Sequence, residues 1–162
     1  MIKMKLLIAV MYSDKETCDK AVAELKNLFG DIDSESPGYN FNFTTYYEKE
    51  MGAGLKKKFI SFKKTTTNEE LAEIRTATGK IEDKFRINGK RTINIDPGYI
   101  SKEGVFMASL KNRQFKTGIG DGIFLHKILG FEHGKIIEFN HTFADYKLKQ
   151  NQDFFLKVIS SS

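Results

Sequence analysis

An amide and a carboxylate side chain share a short stretch that is typical of a β-strand. Asn94 and Asp96 flank Ile95, so on a strand they point away from the core that Ile95 must face. Polar groups that converge on one face can bind a ligand or transfer a proton. The alternative is that Asp96 caps a turn begun by Pro97 and Gly98, which is ordinary turn chemistry. Asp96 is our first candidate for catalysis, with Asn94 as a ligand-binding neighbour.

A second pair of carboxylates, Glu48 and Glu50, ends a segment in which aromatic and polar residues alternate. A strand here would place Glu48 on the face opposite Phe41 and Phe43. Two carboxylates held close together bind Mg²⁺, or one of them has a raised pKa suited to acid or base chemistry. We therefore predict a catalytic site in which Glu48 or Glu50 lies within reach of Asp96, with Mg²⁺ as a possible cofactor. The alternative is that both glutamates are solvated.

Basic side chains and glycines are concentrated between residues 111 and 121. The cations are Lys111, Arg113 and Lys116, and Asp121 ends the segment. Cations beside flexible backbone are typical of sites that bind an oxyanion, and loops of this length are often functional. We predict that this hairpin binds the anionic part of a ligand. The alternative is a long solvated hairpin.

The remaining residues that could do chemistry give weaker signals. His126, His133 and His141 are the only histidines, and their spacing fits no short metal-binding motif, so we interpret each as structural or exposed. Cys18 is the only cysteine and lies on the apolar side of a predicted helix, where a free thiol packs as a small core residue. A chain with one cysteine forms no internal disulfide, which favours a reducing compartment.

Hydrophobic periodicity predicts the elements that must position these residues. Residues 6–12 are apolar at nearly every position, which indicates a central strand covered on both faces. Two capping boxes, at Ser13 with Glu16 and at Thr67 with Glu70, begin segments of helical spacing. The predicted strands are 6–12, 41–48, 55–64 and 91–96, and the predicted helices are 13–30 and 67–85.

This βαββαβ order predicts an α+β fold with a ferredoxin-like core, in which both helices cover one face of an antiparallel sheet. Three further strands, at 105–110, 122–129 and 135–139, suggest an antiparallel extension that also covers the second face of the first strand. We predict a single domain over residues 1–162. Its parts are the core (1–100), the strand extension (101–140) and a C-terminal segment (141–162).

The composition is that of a globular protein, with 40% hydrophobic and 29% charged residues. A formal charge of +5 gives only a mild attraction for polyanions. No apolar stretch approaches the roughly 18 residues that a membrane span requires. We therefore expect a cytoplasmic protein without a membrane partner.

Three segments carry a family resemblance. They read Thr-Tyr-Tyr-Glu-Lys-Glu-Met-Gly at 45–52, Asn-Ile-Asp-Pro-Gly-Tyr at 94–99 and Gly-Asp-Gly-Ile-Phe at 120–124. In order and spacing they resemble signatures of the prokaryotic domain-of-unknown-function family numbered four-four-one-six, over nearly the full chain. Some members are labelled GTP-binding protein, but this chain has no Gly-x-x-x-x-Gly-Lys-Ser/Thr loop for phosphates, so the label transfers poorly.

Two further family signatures are altered in this chain. The resemblance implies a His-Arg pair before the Gly-Asp-Gly segment, where this chain has Phe115 and Lys116. It also implies a closing Trp-Thr-Tyr-Pro-Asp-Tyr run, which here retains its final pair as Asp145 and Tyr146. The cation at 116 and the Asp145-Tyr146 pair therefore stay as ligand-binding candidates, whereas a role for the family histidine is not carried over.

Together these features predict a small-ligand domain whose enzymatic activity is left open. The ligand would be a phosphorylated or nucleotide-like compound held between the polar sheet face and the basic hairpin. The alternative is a non-catalytic module for RNA or a protein partner. RNA is the weaker option because Phe59 and Phe62 are three residues apart on a strand, so they cannot form one stacking platform.

Overall fold

The computed structural model describes residues 2–110 and 116–161. Within these ranges one large antiparallel sheet packs against helices, so the predicted mixed α and β class is confirmed. The strands are β1 (Lys5–Tyr12), β2 (Ile32–Glu35), β3 (Tyr39–Asn40), β4 (Lys56–Thr65), β5 (Ile93–Ser101), β6 (Gly104–Ser109), β7 (Lys116–Gly120), β8 (Ile123–Glu132) and β9 (Lys135–Glu138). The helices are α1 (Lys15–Phe29), α2 (Glu48–Met51), α3 (Asn68–Lys84) and α4 (Lys149–Ser160), with a 3-10 turn at Ala144–Lys147. None of the helices in these ranges is long and apolar enough to cross a membrane.

The sheet places β1 among its inner strands. The strand order is β2-β4-β1-β5-β6-β8-β7, with β3 paired to β4 and β9 paired to β8. Every residue of β1 is buried, as expected for a strand that has neighbours on both sides and is covered on both faces. The predicted central position of the first strand is therefore confirmed.

Helices α1 and α3 pack on the same face of this sheet. Leu6, Ile8 and Val10 of β1 share one apolar cluster with Leu25 of α1 and Leu71 of α3. The prediction that both helices cover one face is confirmed. The N-cap of α3 is Thr67, as predicted. The N-cap of α1 is Asp14 rather than the predicted Ser13, and the Asp14 carboxylate accepts the backbone N–H of Thr17.

The second face of β1 is covered by an element that the sequence analysis left unassigned. Leu7 and Ala9 belong to a cluster that contains Phe154, Phe155 and Val158 of α4. The later strands β6, β8 and β7 lie beside β5 in the same sheet, so they form the expected extension. We expected these strands to cover the second face of β1, but the predictions did not include α4, which packs on that face.

The predicted second strand over residues 41–48 is wrong. The sheet instead uses β2 and the very short β3, and residues 41–47 form a connection that leads into α2. The ring of Phe41 packs 5.5 Å from that of Phe43 and 6.0 Å from that of Tyr47. Phe41 and Tyr47 are therefore partly buried against each other and against Met11, whereas Phe43 is 39% exposed.

The predicted turn at Pro97 and Gly98 is also wrong, because β5 continues through both residues to Ser101. Gly98 is required at its position, since a Cβ atom there would overlap the carbonyl oxygen of Phe106 on the neighbouring strand. Asp96 consequently lies inside a strand and caps no turn.

Candidate functional site

An arginine that the sequence analysis did not single out connects the predicted carboxylates. Arg91 lies just before β5, and its Nε and Nη2 atoms donate to the two carboxylate oxygens of Glu50 at 3.0 and 2.9 Å. The backbone N–H of Arg91 also donates to Glu50, at 3.0 Å. These hydrogen bonds hold the pKa of the Glu50 carboxyl below its usual value and raise the pKa of Arg91.

The guanidinium of Arg91 is also hydrogen-bonded to Asn94, and through Asn94 it is connected to Asp96. Nη1 of Arg91 donates to Oδ1 of Asn94 at 2.7 Å, and Nδ2 of Asn94 donates to Oδ2 of Asp96 at 2.9 Å. Glu50 and Asp96 therefore belong to one hydrogen-bonded chain, with Arg91 and Asn94 between them. Burial together with the charge of Asp96 raises the pKa of Tyr47 to about 12, so this tyrosine stays protonated at neutral pH.

A buried glutamate reaches this chain from the other face of the sheet. Glu82 of α3 is 4% exposed, and it accepts the backbone N–H of Ile95 at 2.7 Å. Its carboxylate also lies 3.5 Å from Nη1 of Arg91 and 3.8 Å from Nη1 of Arg75. Burial raises the pKa of the Glu82 carboxyl. The signal that could have revealed Glu82 is its place beside Ile81, on the apolar side of the predicted helix.

A recess of about 400 Å³ opens beside this network and is called the Tyr46 recess below. It is lined by Tyr46, Tyr47, Lys49, Glu50, Lys90 and Arg91. Tyr46 is 67% exposed, and its ring meets that of Tyr47 edge to face with centroids 5.0 Å apart. Lys49 and Lys90 are both exposed. The recess thus combines aromatic surface with two exposed cations and the Arg91–Glu50 pair.

The predicted metal ligands do not form a cluster in the part of the chain that the structure describes. Glu50 is committed to Arg91, and Glu48 is exposed on the first turn of α2. Among the described residues no three His, Cys, Asp or Glu side chains lie close enough together to hold a metal ion. A Mg²⁺ site at Asp96 stays a prediction that would need ligands from outside the protein, such as phosphate oxygens.

The Asp145–Tyr146 pair lies in the interior, where both residues are 2% exposed. Oδ2 of Asp145 is 2.7 Å from Nζ of Lys57 and accepts the hydroxyl of Tyr39 at 2.7 Å. The ammonium group of Lys57 also lies 5.0 Å from the centre of the Tyr146 ring. This pair therefore ties the segment before α4 to β3 and β4, and neither residue lines the Tyr46 recess.

The predicted anion hairpin is only partly covered by the described residues. Lys111 and Arg113 lie outside them, and Lys116 is the first residue of β7. Asp121 has a positive φ of 53° in the tight turn that joins β7 to β8. Since neighbouring strands are about 4.8 Å apart, β7 lies on the order of 14 Å across the sheet from β5. Anion binding by this hairpin stays a prediction.

The three segments of the resemblance occupy different places in this geometry. Residues 45–52 and 94–99 meet through Arg91, whereas residues 120–124 form the turn at the β7 edge. Comparison with curated proteins and with solved structures finds no match. The model of the domain of unknown function DUF4416 matches residues 2–161, and the chain therefore belongs to this family.

Proposed function

We propose that this domain binds a small phosphorylated or nucleotide-like molecule in the Tyr46 recess. The observation that carries the proposal is that two tyrosine rings and the cations Lys49 and Lys90 surround one recess. Stacking of a planar base on an aromatic side chain contributes about 1 to 3 kcal/mol. Lysine ammonium groups on flexible stems neutralise phosphate as point charges.

In this proposal Arg91 is a positioning residue rather than a phosphate ligand. Its guanidinium already donates to Glu50 and Asn94, so most of its N–H groups are in use. Lys49 and Lys90 are left to meet the phosphate. Asp96 is our candidate for the acid or base of any reaction on the bound molecule. Its carboxylate accepts a hydrogen bond from Asn94, and its charge adds to burial in raising the pKa of Tyr47.

We further propose that the first hundred residues are a variant of the ferredoxin-like core. The order β2-β4-β1-β5, with α1 and α3 on one face, supports this assignment, although β2 and β3 together stand where one longer strand was expected. A cytoplasmic location is also proposed, because the only cysteine, Cys18, is buried as a free thiol.

The test is a thermal-shift screen of purified protein against nucleotides and phosphorylated metabolites, with and without Mg²⁺. A ligand that binds the folded state raises the melting temperature. Tyr46→Ala and the double variant Lys49→Ala/Lys90→Ala should each abolish most of the shift. Lys102→Ala/Lys135→Ala, which removes two exposed lysines from other parts of the sheet, one in the turn between β5 and β6 and one at the start of β9, should leave it unchanged.

Binding of the same ligand to hairpin variants distinguishes the Tyr46 recess from the hairpin as the phosphate-binding site. If the hairpin binds the phosphate, Lys111→Ala, Arg113→Ala and Lys116→Ala should each weaken binding by about 1 to 3 kcal/mol, the range for hydrogen bonds to charged groups. Binding should also weaken as salt rises. A triple variant that keeps full affinity would reject the hairpin. Binding of single-stranded RNA that survives the Tyr46 recess variants would instead favour the interaction module.

A further inference from the structure

A second recess, of about 450 Å³, lies where β1 ends and α1 begins, and it is called the Tyr12 recess below. The polar side chains that line it include Tyr12, Ser13, Lys15, Asn40, Lys56 and Gln150. No carboxylate is among the described residues that line it. The recess is therefore rich in hydrogen-bond donors and carries positive charge only, which distinguishes it from the Tyr46 recess with its Arg91–Glu50 pair.

Tyr12 is the central donor of the recess. The residue is 9% exposed, and its hydroxyl makes no hydrogen bond with any residue in the described ranges. The hydroxyl keeps contact with solvent through the recess, so it can donate a hydrogen bond to a ligand there. The hydroxyl points toward the loop at Gly38, where an added Cβ atom would lie 3.4 Å from it. The absence of a side chain at Gly38 leaves space beside the hydroxyl.

Other donors around Tyr12 are similarly available. Lys56 is exposed and forms no ion pair within the described residues, and the side chains of Ser13 and Asn40 make no hydrogen bond there. Lys15, at the rim, is held 2.9 Å from Asp19, so its charge is already paired and Lys56 is the cation that can meet an anion. The recess thus presents a phenol, a hydroxyl, an amide and an ammonium group to one space.

The N-terminus of α1 is already capped by a side chain. Asp14 already caps this helix, since its carboxylate accepts the backbone N–H and the hydroxyl of Thr17 at 3.0 and 2.7 Å. These hydrogen bonds lower the pKa of the Asp14 carboxyl. An anion in the recess would instead be held by Tyr12, whose backbone is paired with Lys56 on β4 and with Ile93 on β5.

We propose that the Tyr12 recess is a second binding site, which takes a phosphate group carried by a small molecule. Tyr12 donates its hydroxyl to a phosphate oxygen, and Lys56 neutralises the charge. Hydrogen bonds to a charged acceptor are shorter and stronger than those between neutral groups, so the hydroxyl binds an anion more strongly than it binds water. The site is separate from the Tyr46 recess, and its occupancy does not depend on the function proposed there.

The test is an NMR titration of the whole chain with inorganic phosphate at constant ionic strength. The backbone amide signals of Ser13 and Asn40 should shift along a saturable curve. Tyr12→Phe removes only the hydroxyl and keeps the buried ring, and Lys56→Gln changes an exposed residue, so both variants should fold. Each should weaken phosphate binding about tenfold, the change that corresponds to about 1.4 kcal/mol for one hydrogen bond to a charged group.

Two controls make the outcome decisive. Lys63→Gln removes an exposed lysine from the far end of β4, about 23 Å away at 3.3 Å per residue, and should leave the affinity unchanged. Lys49→Gln/Lys90→Gln should also leave the shifts of Ser13 and Asn40 unchanged, which separates this site from the Tyr46 recess. A linear shift without saturation, or equal affinities in Tyr12→Phe and the unaltered protein, would overturn the proposal.

Discussion

Arg91 holds the carboxylate of Glu50 through two parallel hydrogen bonds, from Nε at 3.0 Å and from Nη2 at 2.9 Å. Glu50 lies on α2 and Arg91 precedes β5, so this pair joins the connection that carries Tyr46 and Tyr47 to the sheet. The pairing is bidentate, which fixes the orientation of both groups. The shape of the Tyr46 recess therefore depends on this contact.

Replacing Arg91 with alanine should lower the free energy of unfolding by about 1 to 3 kcal/mol, the range for losing hydrogen bonds to charged groups. The physical reason is that Glu50 loses its partner and Glu82, which is 4% exposed, loses a neighbouring positive charge. Urea denaturation measures the change. Lys149→Ala, which breaks an exposed pair with Asp153, should cost less than about 0.5 kcal/mol. Equal effects of the two variants would contradict the prediction.

Glu50 should make the protein less stable in acid. Its pKa in the folded protein is lowered from 4.5, so its charged form stabilises the fold above that pH. This contribution is lost as the pH falls through the lowered pKa, because the protonated carboxyl can no longer pair with Arg91. Glu50→Gln should therefore be less stable than the unaltered protein at neutral pH, and the difference should shrink in acid. Denaturation midpoints measured between about pH 3 and pH 7 test this sign.

Glu82 should show the opposite dependence. Burial raises its pKa above 4.5, so its contribution to stability is fully present below that pH and is lost as the pH rises through the raised value. Glu82→Gln keeps an oxygen that can accept the N–H of Ile95 and removes the titration. Relative to the unaltered protein, this variant should gain stability as the pH rises. Parallel curves for the two proteins over the same pH range would count against the prediction.

Asp145→Ala should lower the free energy of unfolding by about 3 to 5 kcal/mol, because it leaves the buried Lys57 without its partner. Tyr39 also loses the acceptor of its hydroxyl. The double variant Lys57→Met/Asp145→Leu should recover much of this loss, since no buried charge remains. Asp153→Ala, from an exposed pair, is the control, with an expected loss below about 0.5 kcal/mol. A double variant as unstable as Asp145→Ala would argue against the buried charge as the cause.

Phe155→Ala should cost about 3 to 5 kcal/mol, the usual cost of removing a buried phenylalanine ring. Phe155 of α4 is fully buried, and its ring centre lies 4.9 Å from that of Phe59 on β4. Leu28→Ala on α1 is a control of similar chemistry, because Leu28 is 56% exposed and should matter little. If Phe155→Ala were as mild as Leu28→Ala, α4 would not be covering the second face of the sheet in solution.

Local patterns were sufficient for the elements whose burial is regular along the chain. The apolar run of β1, the helical spacing of α1 and α3 and the cap of α3 predict those elements and the shared face of the two helices. The apolar spacing of Phe154, Phe155 and Val158 is helical as well, so α4 could have been found by the same reasoning. Which face of the sheet it covers depends on the tertiary structure.

The wrongly predicted strand at residues 41–48 shows that alternation within one segment is not enough to define a strand. Phe41 and Phe43 alternate as strand residues do, but Phe43 is 39% exposed, and Phe41 is partly buried by Tyr47 and by Met11, which is 30 residues away in the chain. Periodicity therefore shows neither that an apolar side chain will be buried nor what will bury it.

Short-range patterns specify the central strand, the two helices, the mixed class and the placing of Asn94 and Asp96 on the face opposite Ile95. The contacts of Arg91 with Glu50 and Asn94, the approach of Glu82 to the same arginine from α3, and the burial of Asp145 against Lys57 follow from tertiary packing alone. Secondary structure follows from short-range sterics and periodic burial, which a single segment contains. Ion pairs and recesses depend on which segments meet, and that is settled by the packing of the whole chain.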